Sequence, residues 1–140
     1  MSAKYFIDTN IFVYSFDNRQ PEKWERSMEL IQEALLSGKG IISMQVIQEF
    51  LNVATQKFAI PMRIEEAKEY LRMVLNPLCQ VYPYAALYES CLELQEETRY
   101  SFYDSLIIAA AIQGGCEILY SEDLQDGQEV RGVKIVNPYR

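Results

Sequence analysis

The sequence predicts an α/β fold: a three-layer α/β/α sandwich around a central, mostly parallel, five-stranded sheet. Three observations predict it. Short apolar runs of strand length alternate with longer segments whose apolar residues recur at helical spacing. Gly and Pro stand at the joints between them. The 140 residues contain no internal repeat, low-complexity tract or linker, so residues 1–140 read as one domain with enough chain to build a core. Strands separated by helices pair in parallel and are covered on both faces.

Tyr5–Ile7 is the first strand, a buried apolar run ending at Asp8, and Thr9–Phe16 reads as a short helix. A second helix runs from about Glu22, just after Pro21, to Leu36, with Gly38 and Gly40 as its stop. Gly40–Ser43 is the second strand. From Gln45 to Phe58 the apolar positions Val46, Ile47, Phe50, Leu51, Val53 and Ala54 have helical spacing, and Pro61 closes the segment. Arg63–Leu75 is a helix expected to stop at Asn76-Pro77; Leu78–Tyr82 is the third strand and Tyr84–Thr98 a helix. Asp104–Ile112 reads as a buried helix ended by Gly114-Gly115. Glu117–Tyr120 and Val133–Val136 are the fourth and fifth strands.

Composition excludes much chemistry. There is no histidine, so Ser–His–Asp and Cys–His triads, His-based ribonuclease catalysis and His-ligated zinc are all ruled out. Cys79, Cys91 and Cys116 are odd in number, far apart and form no CxxC, which reads as three small buried side chains in a reducing cytosol. The N-terminal residues carry no leader pattern, and no apolar stretch reaches the ~20 residues that span a bilayer, so a cytoplasmic protein with no membrane partner is expected. Thirteen basic and twenty acidic residues give a net charge of −7, which argues against general adhesion to nucleic acid but not against a site where bound cations reverse the local charge.

In parallel α/β sheets ligands bind beyond the carboxyl ends of the strands. Asp8 follows the first strand, Asp123 follows the fourth in Tyr120-Ser121-Glu122-Asp123, Glu49 lies about two turns into the helix after the second strand, and Asp104 starts the apolar helix leading to the fourth. If strands one, two and four are neighbours, the four carboxylates converge on one sheet edge, where they repel one another and call for a hard cation such as Mg²⁺ or Mn²⁺. Each residue also has a plainer reading. Taken singly, Asp8 and Asp104 read better as helix caps and Asp123 as turn chemistry near Gly127; their joint placement at matching strand ends shifts the balance toward a site. Glu49 belongs to a polar stripe with Gln45, Gln48, Asn52 and Gln56 that suits a hydrated groove or an outer surface alike.

Four stretches together resemble the PIN domain, the metal-dependent nuclease family that includes the toxins of VapBC toxin–antitoxin pairs. They are Phe6-Ile7-Asp8-Thr9-Asn10-Ile11-Phe12-Val13-Tyr14, Ser43-Met44-Gln45-Val46-Ile47-Gln48-Glu49-Phe50, Tyr103-Asp104-Ser105-Leu106-Ile107-Ile108-Ala109-Ala110-Ala111 and Leu119-Tyr120-Ser121-Glu122-Asp123-Leu124. The closing Gly132–Pro138 stretch is also similar, so the resemblance spans Lys4 to Pro138.

The resemblance implies Asp8, Glu49, Asp104 and Asp123 as the catalytic, metal-holding quartet, one or two Mg²⁺ or Mn²⁺ ions, and Asn10 and Ser121 as polar supports. Ser121 stands where the family often has Thr, and Glu122 adds a fifth acid that reads as a ligand or as surface. The implied activity is endoribonuclease cleavage of RNA, leaving 5′-phosphate and 3′-hydroxyl ends, in a homodimer that also binds a small antitoxin protein. Lys4, Lys57 and Arg99 are candidates for an outer phosphate track, against a plain reading as surface charge. Tyr82, Tyr84, Tyr88, Tyr100, Phe102 and Tyr103 are candidates for base stacking, with core or subunit packing the favoured reading. Two rival folds fit poorly. A haloacid-dehalogenase-like enzyme needs a second Asp where Asn10 stands, and a response-regulator receiver needs an acidic pair at the first strand end. The remaining alternative is a PIN-fold binding or assembly module with weak or no nuclease activity.

Overall fold

The structure, a computed structural model, describes residues 3–140; Met1 and Ser2, where the leader reading begins, lie outside it. The chain runs β1 (Tyr5–Ile7), α1 (Thr9–Tyr14), α2 (Pro21–Ser37), β2 (Gly40–Ser43), α3 (Met44–Gln56), α4 (Ile64–Tyr70), a π-helical turn (Leu71–Leu75), α5 (Asn76–Leu78), β3 (Cys79–Val81), α6 (Ala85–Thr98), α7 (Phe102–Gln113), β4 (Ile118–Tyr120), β5 (Glu129–Val130) and β6 (Val133–Val136). The sheet order is β3-β2-β1-β4-β6-β5. All pairings are parallel except β5 with β6. This is the mostly parallel α/β architecture expected, with six strands instead of five.

The extra strand is a two-residue hairpin partner. Arg131 and Gly132 both take positive φ, 49° and 87°, the turn in which two residues link twisted antiparallel strands. Arg-Gly lacks the Asn-Gly or Asp-Gly signature of that turn, and two residues are too few to show alternation, so the sequence hid β5.

Asn76-Pro77 also behaves differently from expectation. The helix does not stop there. It widens by one residue per turn, so that the Asn76 N–H reaches the Leu71 carbonyl, and Pro77 then sits at the start of a fresh short turn where its missing N–H costs nothing.

Two faces of the sheet are covered. A side chain on Gly40 would point at Ala34 of α2 and the Tyr5 ring, while the neighbouring Ile41 side chain reaches Gly114 at the end of α7. Successive strand residues point to opposite faces, so α2 and α7 lie on opposite sides. α7 is apolar all round, and Ser105–Ala111 are buried without a break, as a central helix requires. Phe6, Ile7, Ile41, Ile42, Leu119 and Ile135 from the strands are fully buried with Ile108 of α7. The three cysteines are free and buried, as read from their spacing.

Because Ala34 and the Tyr5 ring already fill the space a Gly40 side chain would need, Gly40→Ala is expected to cost about 1–3 kcal/mol, read as a lower midpoint in urea unfolding with unchanged m-value.

Candidate active site

The strand order explains where the acids meet. β1 is central, with β2 on one side and β4 on the other. The chain leaves β1 and β2 toward one edge and β4 toward the other, which opens a crevice beyond their carboxyl ends. Asp8 leaves β1 straight into it. Ser121 and Asp123 arrive from the end of β4, Glu49 from α3, and Asp104 from the first turn of α7.

Asp8 is buried, and both its oxygens are engaged: the Thr9 backbone N–H donates to Oδ1 at 2.7 Å and the Ser121 hydroxyl donates to Oδ2 at 2.8 Å. It therefore does cap α1, as its plainer reading held, and it lines the crevice as well. Thr9 Oγ1 donates to Glu49 Oε1 at 2.6 Å. The Gln45 amide donates to Glu49 Oε2 at 3.1 Å and to the Tyr103 carbonyl at 3.1 Å, tying α3 to the start of α7. Asn10 Nδ2 donates to Asp123 Oδ2 at 2.7 Å. Asp104 is not the cap of its helix. Ser101 is, accepting the Asp104 N–H at 3.2 Å, which leaves the Asp104 carboxylate free for the crevice.

Asp8, Glu49, Asp104 and Asp123 line one cavity of about 340 Å³, together with Thr9 and Asn10. None of the four makes an ion pair among the described residues. Lys57 is the one cation in the described lining. Burial raises the Asp8 carboxyl to about 7, its two hydrogen bonds oppose the rise, and the charges of Glu49 and Asp123 add to it. Asp123 is also raised, first by burial and then by Asp104, Glu122 and Glu49.

Other expected site residues fall elsewhere. Glu122 turns away from the cavity: the Tyr14 hydroxyl donates to Oε1 at 2.9 Å and Lys23 pairs with Oε2 at 2.9 Å. Lys4 precedes β1, at the opposite end of the strands, and binds Gln80; Arg99 takes the left-handed cap of α6. Of the three track candidates, only Lys57 lines the cavity. The aromatic stretch divides. Tyr100 and Phe102 pack on the core, whereas Tyr82, Tyr84, Tyr88 and Tyr103 are exposed. Sequence reading missed Thr9 as a contact of Glu49, although its hydroxyl sits inside the Asp-Thr-Asn motif, and missed the bridging role of Gln45.

Among the described residues no group of three acidic or thiol side chains forms a ready-made shell for an ion. The donor set still fits a hard divalent cation: it is all oxygen, it is uncompensated by ion pairs, and it includes a buried carboxylate held off its ordinary ionisation. Asp8, Glu49, Asp104 and Asp123 are the residues that would hold it.

Residues 5–126 match the family model of the PIN domain. The chain belongs to the PIN-domain family. Two solved structures share the fold. A toxin–antitoxin complex from Klebsiella pneumoniae is 22% identical with a TM-score of 0.68, over 99% of this chain and 98% of that one. VapBC2 from Rickettsia felis, bound to a DNA fragment from its promoter, is 20% identical with a TM-score of 0.61, over 94% and 96%. No curated protein matches the sequence. β6 lies beyond the stretch matched by the PIN model and is part of the same sheet.

The raised Asp8 carboxyl makes a stability prediction. The folded state holds a proton that the unfolded chain releases near 3.8, so Asp8's contribution is fully present below that value and is lost as pH rises through about 7. In EDTA, Asp8→Asn is expected to melt several degrees above wild type at about pH 8, with the gap closing toward about pH 4. Parallel melting curves across that range would refute the assignment.

Proposed function

We propose that this PIN domain is a metal-dependent endoribonuclease, the toxin of a toxin–antitoxin pair, hydrolysing RNA phosphodiester bonds in the cytoplasm with Mg²⁺ or Mn²⁺. The observation that carries the reading is the crevice itself: four carboxylates lining one cavity, three of them oriented by neutral donors, none ion-paired. A chain without histidine has few other ways to cleave a phosphodiester. A hard divalent cation, when bound, supplies Lewis-acid stabilisation of phosphoryl charge and acidifies an attacking water.

The chain's own residues supply position and charge. Ser121 and the Thr9 N–H fix the Asp8 carboxylate, which ionises fully when positive charge arrives beside it. Thr9 and Gln45 hold both oxygens of Glu49 toward the crevice, and Asn10 holds Asp123. These neutral donors orient the acids without cancelling their charge. The Klebsiella pneumoniae structure is of a toxin–antitoxin complex and the Rickettsia felis one of VapBC2, which supports an antitoxin partner here. Among the described residues no helix is long and apolar enough to cross a membrane. The homodimer implied by the sequence resemblance is part of this proposal, and Tyr82, Tyr84 and Tyr88 are exposed side chains available to it.

The test is cleavage of a mixed RNA pool by purified protein with Mn²⁺ or Mg²⁺, beside an EDTA control. Asp104→Asn and Glu49→Gln are each expected to lower turnover by at least about two orders of magnitude while far-UV circular dichroism stays unchanged. No cutting together with no Mn²⁺-induced thermal shift would instead favour the binding-module alternative.

Thr9→Val keeps the shape of the side chain and removes the hydroxyl that holds Glu49. It is expected to weaken Mn²⁺ binding about 10- to 100-fold by calorimetry. Wild-type affinity in that variant would remove Thr9 from the site.

A further inference from the structure

A second cavity of about 350 Å³ lies between the C-terminal ends of α1 and α3, and it shares Val53 and Lys57 with the acid-lined crevice. The two therefore adjoin, with Val53 and Lys57 as their common wall. We propose that this groove holds the single-stranded RNA beside the cleaved phosphodiester, with a base stacked against Phe16 and Ile60 and a backbone phosphate on Lys57. The inference rests on the ribonuclease reading above and names where the substrate runs.

Three features carry it. The first is a presented aromatic surface. Phe16 is 45% exposed although its ring packs against Phe50, Phe58 and Tyr70 at centroid distances of 5.7, 5.8 and 5.0 Å. Three ring neighbours position it with part of its surface left in the groove, and a pre-positioned platform costs little ordering when a base lands on it. Ile60, 87% exposed, extends that apolar wall at no benefit to the core.

The second is charge. In a chain of net charge −7, this second cavity carries Lys57, which has no ion pair among the described residues, and Arg19. Arg19 is bound two-pronged to Asp17, at 2.8 and 3.0 Å, so that pair is neutral and Lys57 sets the sign. The third is size. The volume is at the low end of ligand pockets, about 300–1,000 Å³, and suits a nucleotide or two better than a folded partner. Stacking faces interleaved with cations along a groove are the recurring device for single strands.

The test has two arms. Fluorescence anisotropy with a labelled RNA of about twelve nucleotides, in Ca²⁺, compares wild type with Phe16→Ala, Ile60→Ser and Lys57→Gln. The first two are expected to weaken binding about ten-fold, with a dinucleotide too short to reach the groove bound equally by wild type and by these two variants. Lys57→Gln is expected to lower the slope of log K against log salt by about 0.7. Ile60 is 87% exposed and outside the core, so its substitution leaves the core packing untouched. The second arm needs no variant: RNA carrying 4-thiouridine is photo-crosslinked to wild-type protein, and the adducts are expected on peptides containing Phe16 or Ile60.

Wild-type RNA affinity in all three variants, with crosslinks confined to Tyr82–Tyr103, would overturn the groove and leave the nuclease reading standing. It would also free the groove for a protein partner. A wild-type protein that neither binds nor cuts any RNA would overturn both readings together.

Discussion

Asp8 lies where the central strand of a parallel sheet runs out, with its carboxylate withdrawn from water. That placement is imposed by topology, because β1 is flanked on both sides and the first residue beyond it has nowhere else to go. A carboxylate there has to be compensated, and two hydrogen bonds do so only in part, leaving the group well above its ordinary ionisation range. The surrounding architecture follows from that single group. Thr9, whose N–H serves Asp8, sends its hydroxyl to Glu49, while Ser121 reaches Asp8 from the far strand. One chain of contacts thus joins α3, α1, β1 and the end of β4. Concentrating like charge at this point lowers stability at neutral pH, a usual trade at sites built for chemistry.

Three consecutive residues after β4 show how finely that charge is apportioned. Ser121 turns inward to Asp8, and at the bend that follows, Glu122 turns outward to Tyr14 and Lys23 and Asp123 toward Asn10. Lys23 also lies over the Tyr14 ring, 4.7 Å from its centroid, so the outward acid is held by an ion pair, a hydroxyl and a cation–ring contact together. The fifth acid of the sequence is thereby removed from the crevice, though its charge is still felt by Asp123.

The sheet and the helices were legible because buried parallel strands are unbroken apolar runs and the connecting helices keep their period. Asp8 and Asp123 could be placed at strand ends for the same reason. The rest turned on contacts between distant residues. Whether Asp104 capped its own helix depended on Ser101 doing so instead, and Ser101 gave no stronger signal than Asp104. The polar stripe on α3 read alike as surface or groove, and tertiary packing divided it. Gln45 is buried in the bridge to α7, Glu49 and Asn52 line the crevice, and Gln48 faces a smaller hollow beside Tyr88. Pro77 misled because it falls in the first turn of a fresh helical segment, where a proline is tolerated.

The little hairpin at the end of the sheet has a bearing on how this protein meets other molecules. β5 closes the outer side of β6 with two residues, and the opposite margin, β3, offers three and is followed by Pro83. Strands so short cannot template a lasting ladder with another chain. Sheet extension is therefore closed at both margins, and a protein that binds here must come to the helices and loops, where side chains and not backbone decide which neighbour is accepted.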